Sequence, residues 1–151
     1  MPQDQNTEIT ITKEGVEDTT VHNQNTKVLV TGATGYVGSH VVKYLNQKGY
    51  KTVGIDRNIA QRKYITDQLP ETTLYEAMHG DESVDEVFSK EKPDVVMHLS
   101  ASSLVGPSVT NPHKYYDNNV SGTIHLLGKC VEYGVNKFVF TSTSSVYGNG
   151  H

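Results

Sequence analysis

The sequence predicts an α/β fold, a doubly wound parallel sheet of about five strands, and three observations predict it. Short runs rich in Val, Leu, Ile and Phe recur along the chain, and stretches with helical spacing separate them. The first run ends in a turn with glycines three residues apart. Strands apolar along nearly their whole length belong to a sheet covered on both faces, and right-handed crossovers then leave the doubly wound (Rossmann-like) arrangement.

Each element follows from its residues. KVLVTG, from Lys27, is a short apolar strand ending in glycine. In YVGSHVVKYLNQKG, Val37, Val41, Val42 and Leu45 share one helical face and Gly49 is a stop signal. YKTVGID is the second strand, and Asn58 to about Gln68 is a loop or short helix with few apolar positions. Thr72–Met78 is the third strand. DESVDEVFSKEK is a helix with Asp81 as a cap, Val84, Val87 and Phe88 on its apolar face, and Pro93 after it. DVVMHLS is the fourth strand, followed by a loop. Pro112 then opens a long helix to about Tyr133, Gly134 closes it, and KFVFTST is the fifth strand.

Composition bounds the function. A chain of 151 residues is one domain with a sizeable core. Residues 1–26 carry five acids and one base, which accounts for the whole net charge of −4; they are expected to be a disordered acidic leader before a domain spanning 27–151. The remainder is balanced and has no basic stripe, so nucleic acid is not an expected partner. No apolar run approaches the roughly 18 residues of a membrane span, and the first residues lack the features of a signal peptide. Cys130, the single cysteine, sits in an apolar helical stretch and reads as buried filler in a reducing, cytoplasmic setting. The seven histidines show no metal-ligand spacing, and His98, inside the fourth strand, reads as a packed core histidine.

The most informative stretch is VTGATGYVG, with Gly32, Gly35 and Gly38 where a strand turns into a helix. Gly32 permits the tight turn, Gly35 lets the backbone approach a pyrophosphate, and Gly38 lets the helix pack closely. Amides at the helix start then face the phosphates, aided by the positive end of the helix dipole. Asp56 ends the second strand at the spacing of the acid that holds the adenosine ribose. A carboxylate there disfavours a 2′-phosphate and points to NAD over NADP, although Arg57 beside it could accept that phosphate.

The spacing G-x-x-G-x-x-G resembles the extended short-chain dehydrogenase/reductase (NAD-dependent epimerase/dehydratase) family. Three later segments resemble it in order: HLSASSLVGPSVTNP, YYDNNVSGT and FVFTSTSSVYG. Within the family, VG-x-SV and YYDNNV-x-GT are most similar to the sugar-nucleotide 4-epimerases, which act on UDP-hexoses. The resemblance implies that Tyr36 and Val37 lie against the pyrophosphate and that Asp56, Arg57 and Asn58 line the ribose. It places Asp81, with Glu82 after it, toward the adenine; Leu99, Ser100 and Ala101 along the nicotinamide side; and Asn118 at the cofactor site. Thr143 matches the catalytic serine/threonine. Three positions depart from the pattern: Ser103 stands where the epimerases have a lysine near the cofactor, Pro107 replaces an acid, and Glu82 replaces an apolar residue.

The implied chemistry is transient oxidation of the sugar at C4 with hydride passed to NAD and returned. It requires a tyrosine base with a lysine four residues on, whose charge lowers the phenol pKa from about 10. That pair is expected a couple of dozen residues beyond Thr143, past His151, and Tyr147 is no substitute. The chain is therefore expected to be inactive alone. Related dehydratases and decarboxylases carry a carboxylate just after the threonine, where this chain has Ser144 and Ser145. The alternatives are a non-catalytic dinucleotide-binding module, a dehydratase or decarboxylase fragment, or a fragment destabilised by KFVFTST as an exposed sheet edge. A homodimer is expected by analogy only.

Overall fold

The computed structural model describes residues 25–148, so all but the last two residues of the expected leader lie outside the described part. Five strands form one sheet: β1 (Lys27–Thr31), β2 (Lys51–Asp56), β3 (Thr73–Glu76), β4 (Val95–His98) and β5 (Lys137–Phe140). They are parallel throughout, in the order β3-β2-β1-β4-β5. The chain winds from β1 outward through β2 and β3, then crosses back to β4 and continues outward on the other side.

The helices are α1 (Tyr36–Gln47), α2 (Lys63–Thr66), α3 (Ser83–Glu91), α4 (Val105–Thr110), α5 (Pro112–Tyr116) and α6 (Gly122–Glu132). Successive side chains of a strand point to opposite faces, and both faces of this sheet are covered. Leu29 of β1, Val53 and Ile55 of β2 and Val96 of β4 pack on one face with Val84, Val87 and Phe88 of α3 and Leu126 and Cys130 of α6. Val28 and Val30 of β1 pack on the other face with Ala33, Val42 of α1 and Leu69. Sandwiching the sheet in this way is what makes its inner strands apolar on both faces through their middles.

Two expectations are corrected. The stretch after β4 is not all loop, because Val105–Thr110 forms α4; a run containing glycine and proline carries no helical signal, yet Pro107 sits early enough in it to need no amide partner. The helix from Pro112 to Tyr133 is also not continuous. Asp117–Ser121 is a π-helical turn between α5 and α6, with the Gly122 amide donating to the Asp117 carbonyl. One extra residue enters the turn there, which redirects the backbone carbonyls of the residues inside it. Among the described residues β5 has a neighbour on one side only, and Phe140 is 56% exposed.

Candidate functional site

The site forms where the strand order reverses, at the carboxyl ends of β1, β2 and β4. β1 is followed at once by Gly32, whose φ of 69° lies in the left-handed region that glycine occupies without strain. Gly32 and Ala33 donate their amides to the Ile55 carbonyl, at 2.9 and 3.2 Å, which pins the turn onto β2. Gly35 then precedes the first residue of α1. Gly38 lies against the turn so closely that a Cβ would stand 2.0 Å from the Gly32 carbonyl oxygen. The helix start is thereby pressed onto the turn, and its first amides, which have no partner within a helix, face the open end.

Asp56 closes the turn from the side. One of its oxygens accepts from the Thr34 hydroxyl at 2.7 Å and the Thr34 amide at 3.2 Å; the other accepts from the Arg57 amide at 2.8 Å. Arg62 donates to the Thr34 carbonyl at 2.8 Å, with its guanidinium 3.9 Å from the Asp56 carboxylate.

These elements enclose a crevice lined by Gly32, Gly35, Ile55, Asp56, Arg57 and Arg62 on one side and Ala77, Met78, His79, Leu99, Ser100, Ala101 and Asn118 on the other. Behind it runs a hydrogen-bonded chain. Ser100 Oγ lies 3.1 Å from His79 Nδ1 and 2.8 Å from Thr31 Oγ1, which in turn lies 2.7 Å from His98 Nδ1. His98 Nε2 is 3.0 Å from Thr123 Oγ1, and that hydroxyl donates to the Asn119 carbonyl at 2.7 Å. His79 Nε2 is 3.0 Å from the Asn118 carbonyl. Burial and the neighbouring His79 push His98 down to about 4, and burial likewise lowers His79, so both rings are neutral at pH 7. The Asn119 amide clamps the Ser102 backbone, donating to its carbonyl and accepting from its amide at 2.8 Å each.

Eight residues singled out in the sequence therefore share the crevice wall: Gly32, Gly35, Asp56, Arg57, Leu99, Ser100, Ala101 and Asn118. Gly38 supports the turn from behind. Tyr36 and Val37 start α1 with exposed side chains, and Asn58, part-buried, follows Arg57. The Asp81 carboxylate accepts from the Ser83 amide at 2.9 Å and from the Ser83 hydroxyl, so it caps the start of α3; Glu82 beside it is exposed. Ser103 is exposed beyond the clamped loop, and Thr143 is exposed in the segment after β5. None of these last side chains lines the crevice. Arg62, Met78 and His79 line it without having been anticipated. Their one sequence signal is position, just after β2 or β3 at the end of the sheet where ligands bind. Tyr-x-x-x-Lys spacing occurs at Tyr44/Lys48 and Tyr133/Lys137, and neither pair lines the crevice. Among the described residues no three His, Cys, Asp or Glu side chains gather as metal ligands, and no helix is long and apolar enough to cross a membrane.

A doubly wound sheet with a glycine turn, a helix start and a strand-end aspartate around one crevice defines a Rossmann-like nucleotide-binding protein. The sequence places it more narrowly: residues 28–151 match the NAD dependent epimerase/dehydratase family, and the chain belongs to that family. It is 41% identical over 122 residues to the UDP-glucose 4-epimerase of Halalkalibacterium halodurans, covering 80% of this chain and 36% of that protein. Its fold is similar to the crystal structure of the Thermotoga maritima UDP-glucose 4-epimerase with UDP-glucose, with a TM-score of 0.75 at 35% identity over 83% of this chain and 40% of the other. The Stenotrophomonas maltophila UDP-glucose-4-epimerase, crystallised with bound NAD and formylated UDP-arabinopyranose, gives a TM-score of 0.76 at 34% identity over 83% and 39%. The chain thus spans little over a third of the length of the curated relatives it matches.

Proposed function

We propose that this chain forms the NAD-binding part of a nucleotide-sugar 4-epimerase that interconverts UDP-glucose and UDP-galactose, in galactose metabolism and in the cytoplasm. The observation that carries the reading is the turn from Gly32 to Gly38 braced by Asp56, because it leaves amides and no side chain where a diphosphate would lie. The residues present fit the cofactor. The amides of Tyr36, Val37 and Gly38 would hold the diphosphate. Asp56 retains acceptor capacity for ribose hydroxyls beside Arg57 and Asn58. Leu99, Ser100, Ala101 and Asn118 would flank the nicotinamide, whereas Asp81, Glu82 and Ser103, which the resemblance assigns to the cofactor, do not line the crevice.

When bound, NAD supplies a reversible hydride acceptor for C4 of the sugar. In this chain Thr143 is the residue suited to orient the C4 hydroxyl by a hydrogen bond. A base for that hydroxyl's proton requires a tyrosine and lysine, and neither Tyr-x-x-x-Lys pair present lines the crevice. The 151 residues by themselves should therefore bind NAD without turning over UDP-galactose. A second copy of the chain is the proposed protein partner, on the exposed apolar stripe of Tyr116, Val120, Ile124, Leu127 and Val131 along α5 and α6. The buried lone cysteine supports a reducing compartment.

Calorimetric titration with NAD and NADP tests the reading. Saturable NAD binding with NADP weaker supports it, and no heat from either at millimolar concentration removes it. Activity of a longer chain carrying the tyrosine–lysine pair would separate an epimerase from a non-catalytic dinucleotide-binding module.

A further inference from the structure

The hydrogen-bonded chain behind the crevice is one proton short. It begins at the Asn118 carbonyl and ends at the Asn119 carbonyl, and its six contacts join His79, Ser100, Thr31, His98 and Thr123 in sequence. Both ends can only accept. Each hydroxyl brings one proton, and each neutral imidazole brings one. Five groups therefore supply five protons for six contacts, and one link must go unmade while both rings are neutral. The Asn118 carbonyl can only accept, so His79 Nε2 carries its proton. A further proton on His79 Nδ1 would complete the chain, with Nδ1 donating to Ser100, Ser100 to Thr31, and so on to Asn119. His98 is the poorer place for it, being 2% exposed behind Thr31, whereas His79 lines the crevice.

We propose that His79 is a positioning residue that takes up a proton when an anionic dinucleotide enters the crevice, locking the post-β4 loop to the π-turn. This rests on the crevice taking NAD. Ser100 on that loop and Asn118 on that turn both line the crevice, and His79 is the side chain that bonds to both. The start of α6, directly after the π-turn, is seated tightly on it, since a Cβ at Gly122 would stand 2.8 Å from His79 Nε2. The titratable and charged groups facing His79 come from several elements: Arg57 after β2 and His125 of α6 oppose its protonation, the His98 ring of β4 lies tilted against it with centroids 4.8 Å apart, and Asp81 before α3 favours it. In the free protein burial, aided by the Arg57 charge, keeps the ring neutral. A bound dinucleotide would bring negative charge into the crevice that Arg57 and His79 both line, which favours the extra proton.

The test is NAD titration of the 151-residue chain between pH 6 and 8, in two buffers of different ionisation enthalpy, for the wild type and His79→Gln. Gln keeps a donor for Asn118 but cannot titrate. The expected result is proton uptake and an affinity rising about tenfold from pH 8 to pH 6 in the wild type. His79→Gln should show neither. If His79→Gln does not fold, the ring carbon resonances of His79 in the wild type should show its titration moving upward on saturation with NAD. NAD binding with a flat pH profile and no proton uptake overturns the inference while the cofactor reading stands. PH dependence surviving in His79→Gln, or a His79 titration unmoved by NAD, also overturns it. Absence of NAD binding at every pH removes the cofactor reading and the inference with it.

Discussion

Asp56 at the end of β2 and Thr34 in the turn after β1 are joined twice, with the Thr34 hydroxyl at 2.7 Å and its amide at 3.2 Å both donating to one carboxylate oxygen. The aspartate expected to hold a ribose thus also holds the phosphate-facing turn in shape. Thr34→Val keeps the volume and removes one donor. It should lower stability by about 1–3 kcal/mol and NAD affinity by about tenfold. Chemical denaturation and NAD titration of the same variant check both, and unchanged affinity would reduce the Thr34–Asp56 pair to a purely structural one.

Gly38 and Gly128 should respond oppositely to alanine. At Gly38 the new Cβ meets the rigid Gly32 carbonyl oxygen at 2.0 Å, so Gly38→Ala should cost roughly 3 kcal/mol or more, or prevent folding. At Gly128, within α6, nothing lies within 4 Å, and Gly128→Ala should gain up to about 1 kcal/mol. Melting temperatures of the two variants settle the matter, and equal shifts would contradict the packing described.

Stability should fall with pH well above the carboxylate range. His98 is held down to about 4 in the folded chain against an ordinary value of 6.5, so between these values the unfolded chain binds the extra proton. The contribution is fully present above about pH 6.5 and is lost as pH falls toward 4, at roughly 1.4 kcal/mol per unit and about 3 kcal/mol in all. His79, also lowered, acts in the same direction. Glu91 is held below its ordinary range, chiefly by a hydrogen bond from Tyr75, and adds a loss only below about pH 4.5. Urea midpoints at pH 7.5 and 5 are the measurement, and equal midpoints would refute a neutral buried His98.

Cys130 should be inert in the native chain. Burial pushes its thiol up to about 11, so at pH 8 its thiolate fraction is roughly a hundredfold or more below that of a free cysteine. A thiol-reactive disulfide dye should label it slowly in buffer and rapidly in urea. Fast native labelling would mean that the α6 face opens.

The parallel sheet, the glycine turn, Asp56 and the Leu99–Ser100 wall were legible because each depends on short-range pattern: apolar runs, glycine spacing, and position just after a strand. His79 was not, because its role arises from meeting Ser100, 21 residues on, and Asn118, 39 residues on. A lone histidine in a polar loop carries no trace of those partners. Arg62 was hidden for the same reason, since its reach back to the Thr34 carbonyl spans 28 residues. The π-turn was invisible because no residue of DNNVS marks a change of helical pitch, and only the extra residue between carbonyl and amide reveals it. α4 was missed because local propensity at glycine and proline misleads where hydrogen bonds from Ser108 and Asn111 complete a turn.

The reversal of strand order between β1 and β4 separates durability from chemistry. The apolar clusters lie across the two broad faces of the sheet, whereas the crevice occupies its rim, built from segments that leave the strands in opposite directions. Evolution can therefore rewrite the rim residues, and with them what is recognised, while the interior that keeps the molecule folded goes undisturbed.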